Sequence, residues 1–209
     1  VVQKNEQPFR KKSVVPPGTH DTDETLRQPL ISKKEKLTGK KLLLMGSKAF
    51  KEKELPHQVR EKIDEAIVLD MTVIVGEAPG ACRLFQDYLQ SKQYPHVIVG
   101  HARSMRYNAG TWKTVKYGDN LKERERNMIQ DADSALIIWA DKSGVIAENI
   151  EYLKRQKTPT FIYEFETKTG RERASWLDPG RIYDPYYYRK EYWRSQKQRM
   201  HKDTQPKKE

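Results

Sequence analysis

Two stretches decide the fold: Thr72-Val73-Ile74-Val75-Gly76-Glu77-Ala78-Pro79-Gly80-Ala81 and Ala135-Leu136-Ile137-Ile138-Trp139-Ala140-Asp141-Lys142-Ser143-Gly144. Each is a strand-length apolar run, then a tight turn, then the start of a helical pattern. Strand, turn and helix in that order set backbone N–H groups beside a helix N-terminus, an arrangement suited to anions. Two such units in one small domain make a phosphate-bearing ligand the leading expectation.

Outward from these turns the chain alternates strand and helix. Leu42-Leu43-Leu44-Met45 reads as a buried strand ending at Gly46-Ser47. Over 54–69, Leu55, Val59, Ile63, Ala66 and Ile67 follow the helical period, with Pro56 in the first turn. A helix is expected over 79–91, a strand over 96–99, a polar loop over 101–118 and a helix over 119–131. Strand 135–139, helix 143–156 and strand 159–163 complete the series. Continuous apolar runs separated by helices predict an α/β, Rossmann-like, doubly wound and mostly parallel sheet of about five or more strands. In such sheets ligands bind beyond the carboxyl ends of the strands.

Charge divides the chain into three. Of the net +11, residues 1–41 carry +5, residues 166–209 carry +5 and the middle, 42–165, carries +1. A nearly neutral Rossmannoid domain over 42–165 is thus expected between a basic extended N-terminal arm, 1–41, and a basic aromatic C-terminal arm, 166–209. The hydrophobic fraction of 36% against 33% charged residues also places part of the chain outside a core. Basic arms attract nucleic-acid backbones through a screened, sequence-independent force. In the C-terminal arm Trp176, Tyr183, Tyr186, Tyr187, Tyr188, Tyr192 and Trp193 interleave with cations, a pattern suited to stacking on bases or filling a protein groove. Candidate contacts to RNA or to a protein partner are Lys11, Lys12, Arg181, Tyr187, Arg189, Trp193 and Arg194. A helix is expected from Pro185 to about 201.

Other classes are disfavoured. A single cysteine, Cys82, allows no internal disulfide, and the five histidines show no metal-ligand spacing. No run reaches the roughly 18 apolar residues of a membrane span, and none reads as a signal peptide. The expected setting is soluble and intracellular, in cytoplasm or an organellar matrix, and not secreted; a homo-oligomer is left open. Cys82, early in a helix, is either a low-pKa thiol or a small buried residue.

At the strand ends, Gly46, Ser47, Gly76, Gly80, Ser143 and Gly144 are the candidate phosphate-binding residues, with Ser143 also a natural N-cap. Glu148 lies one turn into the helix after Gly144, and its pairing with Arg124 is expected.

Leu44-Met45-Gly46-Ser47, Val75 to Cys82, Arg124 to Met128 with Asp131-Ala132-Asp133, and Trp139 to Glu148 together resemble the SLOG superfamily. That group unites Smf/DprA DNA-processing proteins, lonely-guy phosphoribohydrolases and YspA/YpsA-like proteins, and the likeness is to the last branch. The resemblance implies a Rossmann-like fold that binds nucleotides or nucleotide-derived ligands. It also implies catalytic roles for Arg124 and Glu148, as in the phosphoribohydrolases. Three positions depart from the pattern: Glu77 stands for a glycine, Cys82 for an aspartate and Val145 for a threonine. A carboxylate beside a phosphate cradle is unfavourable, because like charges a few Å apart repel by roughly 1–4 kcal/mol. The expectation is therefore a module that binds a nucleotide-like ligand with little or no catalysis and requires no further cofactor. The alternatives are an RNA-contacting subunit of a ribonucleoprotein, such as an organellar ribosome, and an N-glycosidic phosphoribohydrolase.

Overall fold

A computed structural model describes residues 35–184. The elements run β1 (Lys41–Gly46), α1 (His57–Val68), β2 (Thr72–Gly76), α2 (Ala81–Ser91), β3 (Val97–His101), β4 (Lys113–Lys116), α3 (Leu121–Gln130), β5 (Ser134–Ala140), α4 (Gly144–Gln156), β6 (Thr160–Glu166) and β7 (Arg171–Trp176). They form one seven-stranded sheet in the order β4-β3-β2-β1-β5-β6-β7. Every pairing is parallel except β6 with β7. The α/β Rossmann-like class is as expected.

Strand alternation explains the two layers. Leu42, Leu44, Val73, Val75, Leu136 and Ile138 face α1 and α2, where Val59, Ile63, Phe85 and Leu89 meet them. Leu43, Met45, Ile74, Ala135, Ile137 and Trp139 face the other way, onto Met128 and Ile129 of α3 and Ile146, Ile150 and Leu153 of α4. Central strands covered on both faces must be apolar at every position, and β5 is buried throughout. From β1 the chain builds outward through β2, β3 and β4, then returns to lay β5 on the other side of β1. The carboxyl ends of β1 and β5, with Gly46 opposite Ile138, mark the switch in direction.

Two strands lie where none was expected. β4 falls inside the expected loop and is mostly exposed, paired to β3 through its backbone. β7 lies inside the stretch read as a basic arm, so the domain extends past residue 165. Trp176 packs against the α1 and α2 layer at 5.6 Å from the Phe161 ring, and Tyr183 is fully buried 5.8 Å from Trp139. Tyr183 belongs to the core and Trp176, partly buried, packs against it, so both rings are spent on the domain. Arg181 is also tied down: its guanidinium forks onto Glu164, with Nη2 donating to Oε2 at 2.8 Å, and lies over the Tyr183 ring. Lys11, Lys12, Tyr187, Arg189, Trp193, Arg194 and the expected helix after Pro185 lie outside the described residues. No helix among the described residues is long and apolar enough to cross a membrane.

Candidate functional site

At the switch point the chain spends its polar groups on itself. The Ser47 Oγ accepts the Ala140 N–H at 2.9 Å, and the Ser47 N–H donates to the Ile138 carbonyl at 2.9 Å. Ser47 is 2% exposed, so its hydroxyl ties β1 to β5 and faces no solvent. The Ser47 carbonyl in turn accepts the Ala81 N–H, the first amide of α2, at 3.3 Å. Gly46 is required by close packing, since a Cβ there would lie 2.5 Å from the Ala81 Cβ. Gly80 adopts φ +86°, and a Cβ would lie 2.7 Å from Lys48 Cα and from the Ser47 and Lys48 carbonyl oxygens. The turn that opens α2 is thus closed by the segment after β1. Gly46, Ser47 and Gly80, named above as candidate phosphate-binding residues, come together in a packing joint.

Gly76 faces a different environment. A Cβ there would stand 3.7 Å from the Arg124 Cζ and 3.7 Å from the Cys82 Sγ. Arg124 projects from the buried face of α3, shared with Met128 and Ile129. Its Nη1 binds Oε2 of Glu77, and its Nη2 reaches Oε1 of Glu125 at 3.3 Å. The Arg124 and Glu77 side chains are 5% and 2% exposed. Glu77 is thus the counter-ion of Arg124 and not an unpaired charge beside a phosphate cradle. Its second oxygen, Oε1, accepts from Arg106 Nη2 at 2.8 Å. The Arg124 Nε is buried without a hydrogen-bond partner among the described residues.

The expected pairing of Arg124 with Glu148 is absent. Glu148 is exposed, because the buried stripe of α4 is Ile146, Ala147, Ile150 and Leu153. Asn149, one residue on and about 100° around the helix, is the α4 residue on this network, donating to Glu125 Oε2 at 2.8 Å. Ser143 does occupy the N-cap position of α4, but its hydroxyl makes no cap hydrogen bond. Its carbonyl accepts Trp139 Nε1 at 3.0 Å. The preceding Asp141 and Lys142 both have positive φ, 51° and 49°, and the Ser143 N–H closes the turn on the Ala140 carbonyl at 3.1 Å. Asp141 is fixed there by accepting from the Thr167 N–H at 2.9 Å. Gly144 begins α4 beside this turn.

Cys82 is the small buried residue of the two options. Burial pushes its thiol up to about 11, against the lowering effect of Arg124. A raised pKa means that the folded state holds the proton, so this group's contribution to stability is lost as pH rises from the free-thiol value towards about 11. Iodoacetamide at pH 8 is expected to leave Cys82 unmodified in the native protein and to alkylate it after denaturation in urea. Rapid native labelling at pH 8 would contradict this placement.

The open part of this end lies beside the glycine turns. A cavity of about 530 Å³ is lined by Glu77, Ala102, Arg103, Ser104, Arg106, the α3 N-cap Asn120 and the first two residues of α3, Leu121 and Lys122. Three cations, Arg103, Arg106 and Lys122, line it together with one buried carboxylate, Glu77, and Arg106 is the one of the three that pairs with that carboxylate. The loop that carries Arg103 and Arg106 is held by two side-chain amides, buried Gln86 and half-buried Asn108. Gln86 donates to the Gly76 carbonyl at 2.9 Å and accepts the Ala109 N–H at 3.0 Å. Asn108 exchanges hydrogen bonds with the Trp112 backbone at 2.9 and 3.1 Å. Arg106, Arg103, Lys122 and Gln86 were not among the candidates, since their meeting depends on contacts across the loop. The only clue in sequence is that a buried Glu77 needs a cation from somewhere. The described residues contain no group of three or more His, Cys, Asp and Glu placed to hold a metal ion.

Compared with known proteins, the chain matches no family model and has no significant match to a curated protein or a solved structure.

Proposed function

We propose that this chain is a SLOG-like, Rossmann-like binding module for a nucleotide-derived anion, with little or no catalysis. The observation that carries the reading is the cavity at the carboxyl ends of β2 and β3, where Arg103, Arg106 and Lys122 outnumber the single carboxylate of Glu77. Cations gathered around a concave site bind anions better than the same cations on a flat surface. The ligand position moves from the Gly46 and Gly80 joint, which packing fills, to this neighbouring cavity. Catalysis of the phosphoribohydrolase kind needs Arg124 and Glu148 at one sugar, and these residues face different surroundings: Arg124 is buried on Glu77 and Glu148 is in solvent.

Calorimetric titration tests the reading. Ribose 5-phosphate or adenosine monophosphate is expected to bind with Kd below about 1 mM, a modest affinity of roughly 4 kcal/mol. The Arg103→Ser/Arg106→Ser variant is expected to weaken it at least about tenfold. Absence of binding at about 10 mM ligand, or equal binding by the variant, would overturn it.

A second reading, contact with RNA through the arms, draws on the charge distribution, with +5 in each of 1–41 and 166–209. It predicts that RNA affinity falls steeply with salt and disappears when 1–34 and 185–209 are removed. The two readings are compatible, since a ligand-binding core can be tethered by its arms.

A further inference from the structure

We infer that Glu77 is a resident counter-anion, which holds on Arg124 the position a phosphate would take and thereby selects what the neighbouring cavity admits. This rests on the proposed ligand site for its relevance to binding, and on the geometry of the arginine for its chemistry.

Arg124 is built as an anion site from the inside. Its side chain is 5% exposed, and the carboxylate that meets it is 2% exposed. A guanidinium this deep needs a negative partner, because an unpaired buried charge is strongly destabilising. The partner it has is short of complete: Glu77 engages Nη1, Glu125 engages Nη2 at 3.3 Å, and Nε remains without one. A tetrahedral oxyanion offers more acceptor directions than one carboxylate edge. On the side towards β2 the guanidinium meets Gly76, which contributes no side chain. On the cavity side Arg106 reaches the same carboxylate at 2.8 Å from the opposite oxygen. Two guanidiniums therefore converge on the space that the Glu77 carboxylate fills, and planar N–H forks suit phosphate as well as carboxylate.

Glu77 also lines the cavity, so truncating it opens a route from solvent to Arg124. In the native protein that route is closed and the innermost group is an acceptor. A ligand must then put its phosphate on the outer cations and turn a hydrogen-bond donor, a hydroxyl or an amine, towards Glu77. Phosphorylated sugars carry both groups, a phosphate and separate hydroxyl donors.

Thermal unfolding in phosphate and in chloride at matched ionic strength tests the inference. Glu77→Ala is expected to be destabilised in chloride and to gain about 5 °C in about 20 mM phosphate. Wild type and the charge-free pair Glu77→Ala/Arg124→Met are expected to move by less than about 1 °C. Should Glu77→Ala be unfolded in chloride, recovery of its far-ultraviolet dichroism in phosphate gives the same support. A variant unfolded in both salts, or one that responds no more than wild type, would overturn the inference. Failure of wild type to bind ribose 5-phosphate strikes the proposed function and leaves this result untouched; an unresponsive Glu77→Ala does the reverse.

Discussion

Arg124→Met is expected to lower stability by about 3–5 kcal/mol, the usual cost of stripping one partner from a buried ion pair. Methionine fills most of the arginine stem's space, so lost packing is the smaller part. The larger part is Glu77, left 2% exposed with Arg106 as its one remaining cation among the described residues, and that arginine is itself 47% exposed. Glu125 keeps Asn149 as a donor at 2.8 Å and is less affected. Urea unfolding would read the change as a lower midpoint with an unchanged slope. A loss below about 1 kcal/mol, the size of a surface pair, would mean that water reaches Glu77 freely.

Gly80→Ala is the second large effect, at about 3 kcal/mol. Two independent causes act at that residue. Its φ of +86° is in the region that glycine alone adopts readily, and a Cβ would sit 2.7 Å from Lys48 backbone atoms that cannot swing away. Gly170 separates the two, since it has φ +68° with nothing within 4 Å of an added Cβ. Gly170→Ala is expected to cost about 1 kcal/mol, the conformational part alone. Equal costs at the two sites would remove the steric argument for a closed turn. Because the joint is structural, the Gly80 penalty is expected to be the same with and without phosphate.

The layered sheet was legible because burial on both faces leaves a mark in composition. Leu42 to Met45, Val73 to Val75 and Ala135 to Trp139 are apolar at every position, and each ends at a turn. The edge strands left no such mark. Lys113-Thr114-Val115-Lys116 joins β3 through backbone hydrogen bonds while its side chains stay mostly in water, so it reads as loop. Arg171 to Trp176 carries charges on an edge strand and reads as an arm. Trp176 and Tyr183 followed it into that reading, although both bury their rings against the domain.

The site was legible in part, and for a physical reason. Glycines announce turns, and the turns are where expected. Whether a turn is open depends on what packs over it, and that is decided by Ala81, Lys48 and Ser47 from other segments. Glu77 was identified as the residue out of place, but its partners lie 29 and 47 residues further along the chain, beyond the reach of any spacing rule. Glu148 stands one position away from the residue that joins the network. On a helix that step turns a side chain by about 100°, which puts Asn149 on the network and Glu148 in water.

The central claim is that Glu77 and Arg124 form one charge-compensated unit behind the cationic cavity. A double-mutant cycle over Glu77→Ala, Arg124→Met and the pair, followed by urea unfolding in chloride, measures that unit directly. The expected coupling is at least about 2 kcal/mol, with the pair more stable than Arg124→Met alone. A coupling below about 0.5 kcal/mol, with the two single losses simply adding, would contradict it.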